Sequence, residues 1–329
     1  MLVVPDKFLN NFVTDFYEHL ASIIVSVIPD IQIVKTSEFN PDKDLNLAFL
    51  ISVAHWPVSE QMKIKDIPPK TKVMCWYDDV FWINENARKL NIYLFDRADY
   101  IFHSSKSTFL DMWSKYESKS YWLPFFASPY FYNNYPIQPT PRCLLTGSCS
   151  EYYYPLRKWV KDSKSKFVDV LEHPGYVKTP TSKTRQEYAN FIASYFCCLT
   201  CGGLSYGACR YKITSEPRAF DRPIDEYLKE MMGDRLEAFK TKGQIVLKFF
   251  EITAAGSLLI AGSQTTEMSE LGLNSGVNYI AVDKNTALDT IKDCCVNPEK
   301  YESIRHNGWE WSKKHTMQNR EIQLEQILC

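Results

Sequence analysis

No apolar stretch in this 329-residue chain approaches the ~20 residues that span a bilayer. The longest candidates, residues 23–28 and 257–261, break off quickly. Net charge is also missing. Lys and Arg number 38 against 39 Asp and Glu, so no overall field draws the chain to nucleic acid or to an anionic membrane. The opening Met-Leu-Val-Val-Pro-Asp-Lys lacks the basic-then-apolar layout of a secretory signal. Ten cysteines in so long a chain, without such a signal, are expected as reduced thiols. The expected location is therefore the cytoplasm, with no transmembrane segment and with peripheral membrane contact left open. Cys197-Cys198-Leu199-Thr200-Cys201 and Cys209 lack the paired spacing of a structural zinc site and continue an apolar strand pattern, which favours buried thiols. No Gly-x-Gly-x-x-Gly follows an early strand, which disfavours an ordinary Rossmann dehydrogenase. The chain has no internal repeat and no low-complexity tract.

Its length exceeds one ordinary core, and its apolar share of 45% is that of a folded protein, so two domains are expected. Residues 6–20 have helical spacing, with Phe8, Phe12, Phe16 and Leu20 on one face. Residues 31–34, 45–52, 73–77 and 100–103 read as strands, the last three as near-continuous apolar runs of the kind buried in parallel sheets. Residues 84–91 and 105–115 have helical composition between them, the second opened by a Ser cap candidate. Pro129, Pro136, Pro139 and Pro141 with Asn133 and Asn134 then mark a linker at 128–141. A second alternation follows it. Strands are expected at 143–146, 166–171, 195–200, 258–261 and 279–282, and helices at 154–161, 185–193, 248–255, 285–296, 298–314 and 317–327. The expected fold is α/β, with two doubly wound Rossmann-like domains facing a central cleft that holds the ligand at the strands' C-terminal ends. The division expected is 1–127, the linker, 142–315, and a final helix at 316–329 packing back on the first domain.

The most informative stretch is Lys248-Phe249-Phe250-Glu251-Ile252-Thr253-Ala254-Ala255-Gly256, followed by apolar 258–261. A Lys and a Glu one turn apart share a helix edge, Gly256 ends the helix, and a buried strand follows. Such an edge is either plain solvated surface or a nucleotide site. A carboxylate accepts both hydroxyls of a ribose, and a helix N-terminus favours phosphate. Gly147-Ser148 after a strand, with Arg157 at the start of the next helix, makes a candidate diphosphate cradle; a surface arginine is the plainer alternative. His173 sits in the His-Pro-Gly turn after another strand, either at a cleft or hydrogen-bonded structurally. In the first half, Trp76-Tyr77-Asp78-Asp79 and His55-Trp56 end strands. Aromatic faces stack on pyranose rings and carboxylates accept their hydroxyl hydrogens. Helix capping by Asp78 and Asp79 is the other reading.

Taken in order, Leu-Pro-Phe at 123–125, Gly147-Ser148, Tyr-Pro-Leu-Arg at 154–157, His-Pro-Gly-Tyr at 173–176, Lys-Phe-Phe-Glu-Ile at 248–252 with Ala-Ala-Gly to 256, Glu267, Leu271-Gly272, Ile-Arg-His-Asn-Gly at 304–308 and Lys-His-Thr at 314–316 form a series. The series resembles the group-1 glycosyltransferases of the GT-B fold, in the branch related to the spore-maturation protein CgeB, most strongly over residues 142–320. The resemblance implies an acceptor side in the first domain and a nucleotide-sugar donor site in the second. It implies that Glu251 binds the donor ribose and Lys248 lies near the phosphates. Gly147, Ser148 and Arg157 would approach the diphosphate, and the turn at Thr266 and Glu267 would lie near the donor sugar or phosphate. Many retaining relatives carry a further Glu eight residues before the ribose Glu; Gly243 stands there in this chain. Residues 203–243, with Arg210, Lys212, Arg218, Arg222 and Arg235, look inserted, as a lid or as a solvated segment.

The reading is a hexosyl- or pentosyltransferase that takes a UDP- or GDP-sugar as substrate and a glycan, or another hydroxyl, as acceptor. No cofactor is expected. His55, Asp78 and Asp79 are the candidate catalytic bases, Trp56 and Tyr77 the candidate acceptor-binding aromatics. Asp78-Asp79 lacks the Asp-x-Asp spacing of metal-dependent transferases, so no obligatory metal is expected. A nucleotide-sugar epimerase of the same fold, or a non-catalytic sugar-binding or assembly protein, is the alternative.

Overall fold

Strands covered on both faces must be apolar at consecutive positions, and the chain supplies two sets of them. The computed structural model describes residues 1–6, 11–53, 56, 58–77, 85–132, 135, 138–149, 151, 154–171, 185–204, 226, 229–230, 233–237, 243–262 and 265–329. It divides into two units, one of Met1–Pro124, Ala208–Thr241 and Glu321–Cys329, the other of Phe125–Gly207 and Lys242–Arg320.

In the first unit the strands are β1 (Leu2–Val4), β2 (Ile33–Lys35), β3 (Leu47–Ile51), β4 (Lys72–Tyr77), β5 (Tyr100–His103) and β6 (Ser120–Trp122). Among the described residues they form one parallel sheet in the order β2-β1-β3-β4-β5-β6. Helices α1 (Asn11–Val27), α2 (Val58–Met62), α3 (Glu85–Arg97) and α4 (Lys106–Trp113) connect them. The apolar runs read from the sequence are β3, β4 and β5. Strand β1 escapes that reading because three residues are too few to show a pattern, yet Leu2 and Val3 are fully buried between β2 and β3. Ser105 does stand at the N-cap of α4, but its side chain makes no capping hydrogen bond.

The second unit holds β7 (Thr140–Thr146), α5 (Pro155–Asp162), β8 (Val168–Leu171), α6 (Arg185–Ala193), β9 (Tyr195–Leu199), β10 (Gly203–Leu204), β11 (Gly243–Gln244), α7 (Leu247–Ala254), β12 (Leu258–Ala261), α8 (Thr266–Glu270), β13 (Ile280–Ala281), α9 (Ala287–Val296) and α10 (Glu302–Ser312). Its main sheet is parallel throughout, in the order β13-β12-β9-β7-β8. β10 and β11 pair separately and antiparallel. The core of this unit is thiol-rich: Cys143, Cys197, Cys201, Cys294 and Cys295 pack with Leu145, Leu199, Leu258 and Ile260. Burial pushes the Cys198 thiol up, away from the reactive thiolate. The last helix, α11 (Met317–Leu328), belongs to the second unit through Arg320 and to the first from Glu321, where Gln323 donates to the Trp122 carbonyl at 2.7 Å.

Gly256 ends α7 as its position suggested. With φ of +76° it takes the left-handed cap. The Gly256 amide then returns to Thr253 at 3.0 Å and the Ser257 amide to Ile252 at 3.2 Å. The chain reverses there and enters β12. Arg305 of α10, 2% exposed, donates through Nε to the Gly256 carbonyl at 2.6 Å and holds this corner from outside.

Among the described residues two histidines are buried, one in each unit: His103 at the end of β5 and His315 before α11. Arg320 can only donate, so the 2.8 Å contact between its Nη2 and His315 Nδ1 makes that nitrogen an acceptor. Nε2 then carries the proton and donates to the Leu271 carbonyl at 3.2 Å. Burial lowers each histidine to about 3. In the unfolded chain each titrates near pH 6.5. Between those values the unfolded state binds more protons, so stability falls as pH falls from 6.5 toward 3. The slope reaches about 1.4 kcal/mol per pH unit for each histidine. Urea denaturation at pH 7.5 and 5.5 should show this loss, and His103→Asn should flatten part of it. A flat profile over that window would contradict neutral burial.

Candidate functional site

In a parallel sheet the loops leaving the strands' C-terminal ends gather at one edge, and ligands bind there. In the second unit that edge carries the turn after β7, the turn after β12 and the N-terminal ends of the helices that return to the sheet. Helix α7 leads into β12 through Gly256, so its first turn, with Lys248, lies at this edge.

The turn after β7 is built around Gly147. Its φ of +100° is a conformation that residues with a side chain rarely adopt. A Cβ there would stand 2.8 Å from Lys248 Cε and 2.9 Å from Arg157 Nη1. Two cations therefore lie against the main chain of one glycine. Ser148, next in sequence, is exposed.

Arg157 lies on α5, opened by Pro155 at its first position. It is only 2% exposed. Its Nη2 donates to Thr200 Oγ1 and, at 3.3 Å, to the Cys201 carbonyl; Nη1 reaches the Ser148 carbonyl at 3.4 Å. The guanidinium stacks 4.0 Å over the Tyr154 ring. Arg157 thus braces the β7 turn against the end of β9.

Lys248 and Glu251 share one face of α7, as their spacing requires, with Nζ 3.7 Å from Oε2. Glu251 is 2% exposed. An isolated carboxylate at that depth is costly, and Arg185, at the start of α6, answers it, meeting Glu251 Oε1 at 2.6 Å. Three positions along the same helix, Tyr188 accepts from Lys248 Nζ at 2.8 Å and exchanges a 2.9 Å hydrogen bond with Thr146 Oγ1, the last residue of β7. Arg185 and Tyr188 are i,i+3 on α6 and meet a pair that is i,i+3 on α7. One contiguous network joins Thr146, Tyr188, Lys248, Glu251 and Arg185. Sequence reasoning missed Arg185, Tyr188 and Thr146. The available signal was a cation and a phenol one helical turn apart, and many surface helices carry that.

Thr266 and Glu267 open α8, just after β12, at the same edge. Thr265 caps the helix, its Oγ1 accepting from the Met268 amide at 3.2 Å. Glu267 is buried. His173 lies outside the described residues, as do Arg210, Lys212, Arg218 and Arg222.

In the first unit, His55, Asp78 and Asp79 lie outside the described residues. Trp56 and Tyr77, expected at an aromatic rim, are core side chains, 3% and 0% exposed. Trp56 donates Nε1 to the Ile51 carbonyl at 2.9 Å, and Tyr77 bonds Asn91 Oδ1 through its hydroxyl. Tyr77 closes β4, which is buried to its last residue, and so stays inside; Trp56 comes after β3 in the chain and packs edge-on against Phe39. Among the described residues no group of three or more His, Cys, Asp or Glu is placed to hold a metal ion, and no helix is long and apolar enough to cross a membrane.

The side chain of Glu251 is 2% exposed and that of Arg185 11%, so removing the arginine leaves a buried carboxylate without its nearest partner. Arg185→Leu should lower stability by about 3 kcal/mol, whereas Arg185→Leu with Glu251→Leu should recover much of it. Urea unfolding of the two variants checks this; equal losses would show that the two charges are not coupled.

No family model matches this sequence, and neither does any curated protein. Solved structures match its fold. HepE of Anabaena, in complex with UDP and glucose, aligns at a TM-score of 0.57 and 10% identity, over 99% of this chain and 98% of that one. Sucrose-phosphate synthase of Thermosynechococcus elongatus aligns at 0.55 and 12% identity, over 86% of this chain and 72% of that one. The chain spans 57% of the length of the pneumococcal O-GlcNAc transferase GtfA, which aligns at 0.47 and 11% identity over 87% of this chain. At such identities the likeness is one of fold: two Rossmann-like α/β units with parallel sheets, the GT-B architecture of these glycosyltransferases.

Proposed function

We propose that this chain is a glycosyltransferase that moves a sugar from a nucleoside-diphosphate sugar to an acceptor hydroxyl, and that it belongs to the CgeB-like branch of the GT-B enzymes. The observation that carries the reading is the Lys248–Glu251 pair set beside Gly147 at the C-terminal edge of the second sheet. In this reading Glu251 accepts the ribose hydroxyls and Lys248 meets the diphosphate. Glycine suits this turn because its φ of +100° is one that residues with a side chain rarely adopt. HepE, the neighbour matched over nearly its whole length, was crystallised with UDP and glucose, which favours UDP over GDP as the first nucleotide to test.

Glycosyl transfer builds negative charge on the departing diphosphate. A fixed ammonium, with main-chain N–H groups at a glycine turn, stabilises that charge without a metal. We therefore propose metal-independent transfer with no cofactor. The acceptor hydroxyl's proton is assigned to His55, Asp78 or Asp79, the bases read from the sequence. A reducing compartment such as the cytoplasm suits the buried free thiols.

Glu251→Gln should weaken nucleoside diphosphate binding by about 1.5–3 kcal/mol, the scale of a hydrogen bond to a charged group. Titration calorimetry with UDP and GDP measures it, on a variant shown by thermal melting to be folded. Wild-type affinity in that variant would reject the ribose assignment. Transfer from a UDP- or GDP-sugar should also persist in excess chelator; activity lost to chelator and restored by a divalent ion would reject the metal-free assignment.

A further inference from the structure

A lysine that must meet a diphosphate has four flexible bonds and forfeits rotamer freedom when it is fixed. In this chain Lys248 is fixed in advance, from three directions. Its Cε lies against Gly147, where an added Cβ would come within 2.8 Å. Its Nζ faces Glu251 Oε2 at 3.7 Å. The same ammonium donates to Tyr188 Oη at 2.8 Å. Only the last of these is a hydrogen bond of normal length, so it sets the position of the charge.

Tyr188 is itself held rigidly. It is 2% exposed, packs edge-on against Phe131 at 6.0 Å, and shares a 2.9 Å hydrogen bond with Thr146 Oγ1. Thr146 immediately precedes Gly147, so one strand end supplies both the glycine turn and the anchor of the phenol. The circuit runs from β7 through Tyr188 to Lys248 and back to the β7 turn. An ammonium has three N–H donors. With one directed to Tyr188, the remaining donors keep a defined orientation beside the Gly147 main chain.

We propose that Tyr188 is a positioning residue for the donor diphosphate: its hydroxyl fixes the Lys248 ammonium beside the β7 turn before the nucleotide arrives. The inference rests on the glycosyl-transfer reading of the same site. Tyr188 acts on the phosphates only through Lys248, so its effect is confined to ligands that carry them.

Tyr188→Phe keeps the ring, its packing and its 5.2 Å approach to the ammonium, and removes only the hydroxyl. The expected result is about a tenfold loss of affinity for UDP or GDP, whichever the wild type binds. Affinity for the corresponding nucleoside should be unchanged. In a Lys248→Met background the loss should vanish, so the two changes should not add in a double-mutant cycle. Wild-type UDP or GDP affinity in Tyr188→Phe, with Lys248→Met clearly weakened, overturns the positioning role alone. Equal losses for nucleoside and nucleoside diphosphate also overturn it, since they would mean a general structural role. If the wild-type chain binds neither diphosphate, the glycosyl-transfer reading fails and this inference fails with it.

Discussion

The second unit is organised around a carboxylate that is largely withdrawn from water. Glu251 is 2% exposed on the fifth residue of α7. Burying such a charge is tolerable only when opposite charge and donors surround it. Arg185 at 2.6 Å supplies most of that, and Lys248 at 3.7 Å the rest. Both cations are then committed in direction. Arg185 also lies over the Phe131 ring at 5.0 Å, and Lys248 is drawn to Tyr188. Helices α6 and α7 are therefore joined by polar contacts at one end, beyond the apolar packing that their buried faces provide. The cost of an unpaired carboxylate is what keeps this arrangement unique.

The direction of the strands decides why the cluster lies where ligands bind. All neighbours in the main sheet are parallel, so every return to the sheet is a crossover, and every outgoing loop emerges at one edge. The left-handed Gly256 forces α7 to end and β12 to begin within a few residues. Arg305 locks that corner through the Gly256 carbonyl. With its C-terminal end pinned, α7 projects its first turn to the opposite edge, next to Gly147. A change in the register of α7 would rotate Lys248 and Glu251 away from Tyr188 and Arg185 together. The packing of the helix and the chemistry of the site are thus one constraint.

Much of this was legible in the residues because buried parallel strands advertise themselves. The runs at 45–52, 73–77, 100–103 and 258–261 are apolar at consecutive positions, and each became a strand. Helix 185–193 and the stop at Gly256 were equally plain. The short strands β1 and β6 were not, although β2, equally short, was read at 31–34. The candidate site was legible in half. Lys248 and Glu251 declared themselves by spacing along one helix. Their partners Arg185, Tyr188 and Thr146 come from two other elements, and a sequence does not reveal which side chains a fold brings together from a distance. Trp56 and Tyr77 show the reverse error. Strand-end aromatics read as an exposed rim, but burial continues to the end of β4 and takes Tyr77 into the core.

The two cations at Gly147 are not equivalent, and the difference follows from their chemistry. A guanidinium is a rigid fork whose donors satisfy several acceptors in fixed directions. Arg157 spends its fork on Thr200, Cys201 and the Ser148 carbonyl, and its flat face on Tyr154. It sets the shape of the turn. An ammonium is a compact point charge with donors that turn about one axis. Lys248 keeps such a charge at the same glycine, 16% exposed, oriented by one phenol and one carboxylate. Residues with a side chain rarely adopt the backbone of residue 147, and a Cβ there would press on the ends of both cations. One glycine suits the local conformation and lets both cations lie close, which makes the β7 turn the fixed point against which the rest of the candidate site is measured.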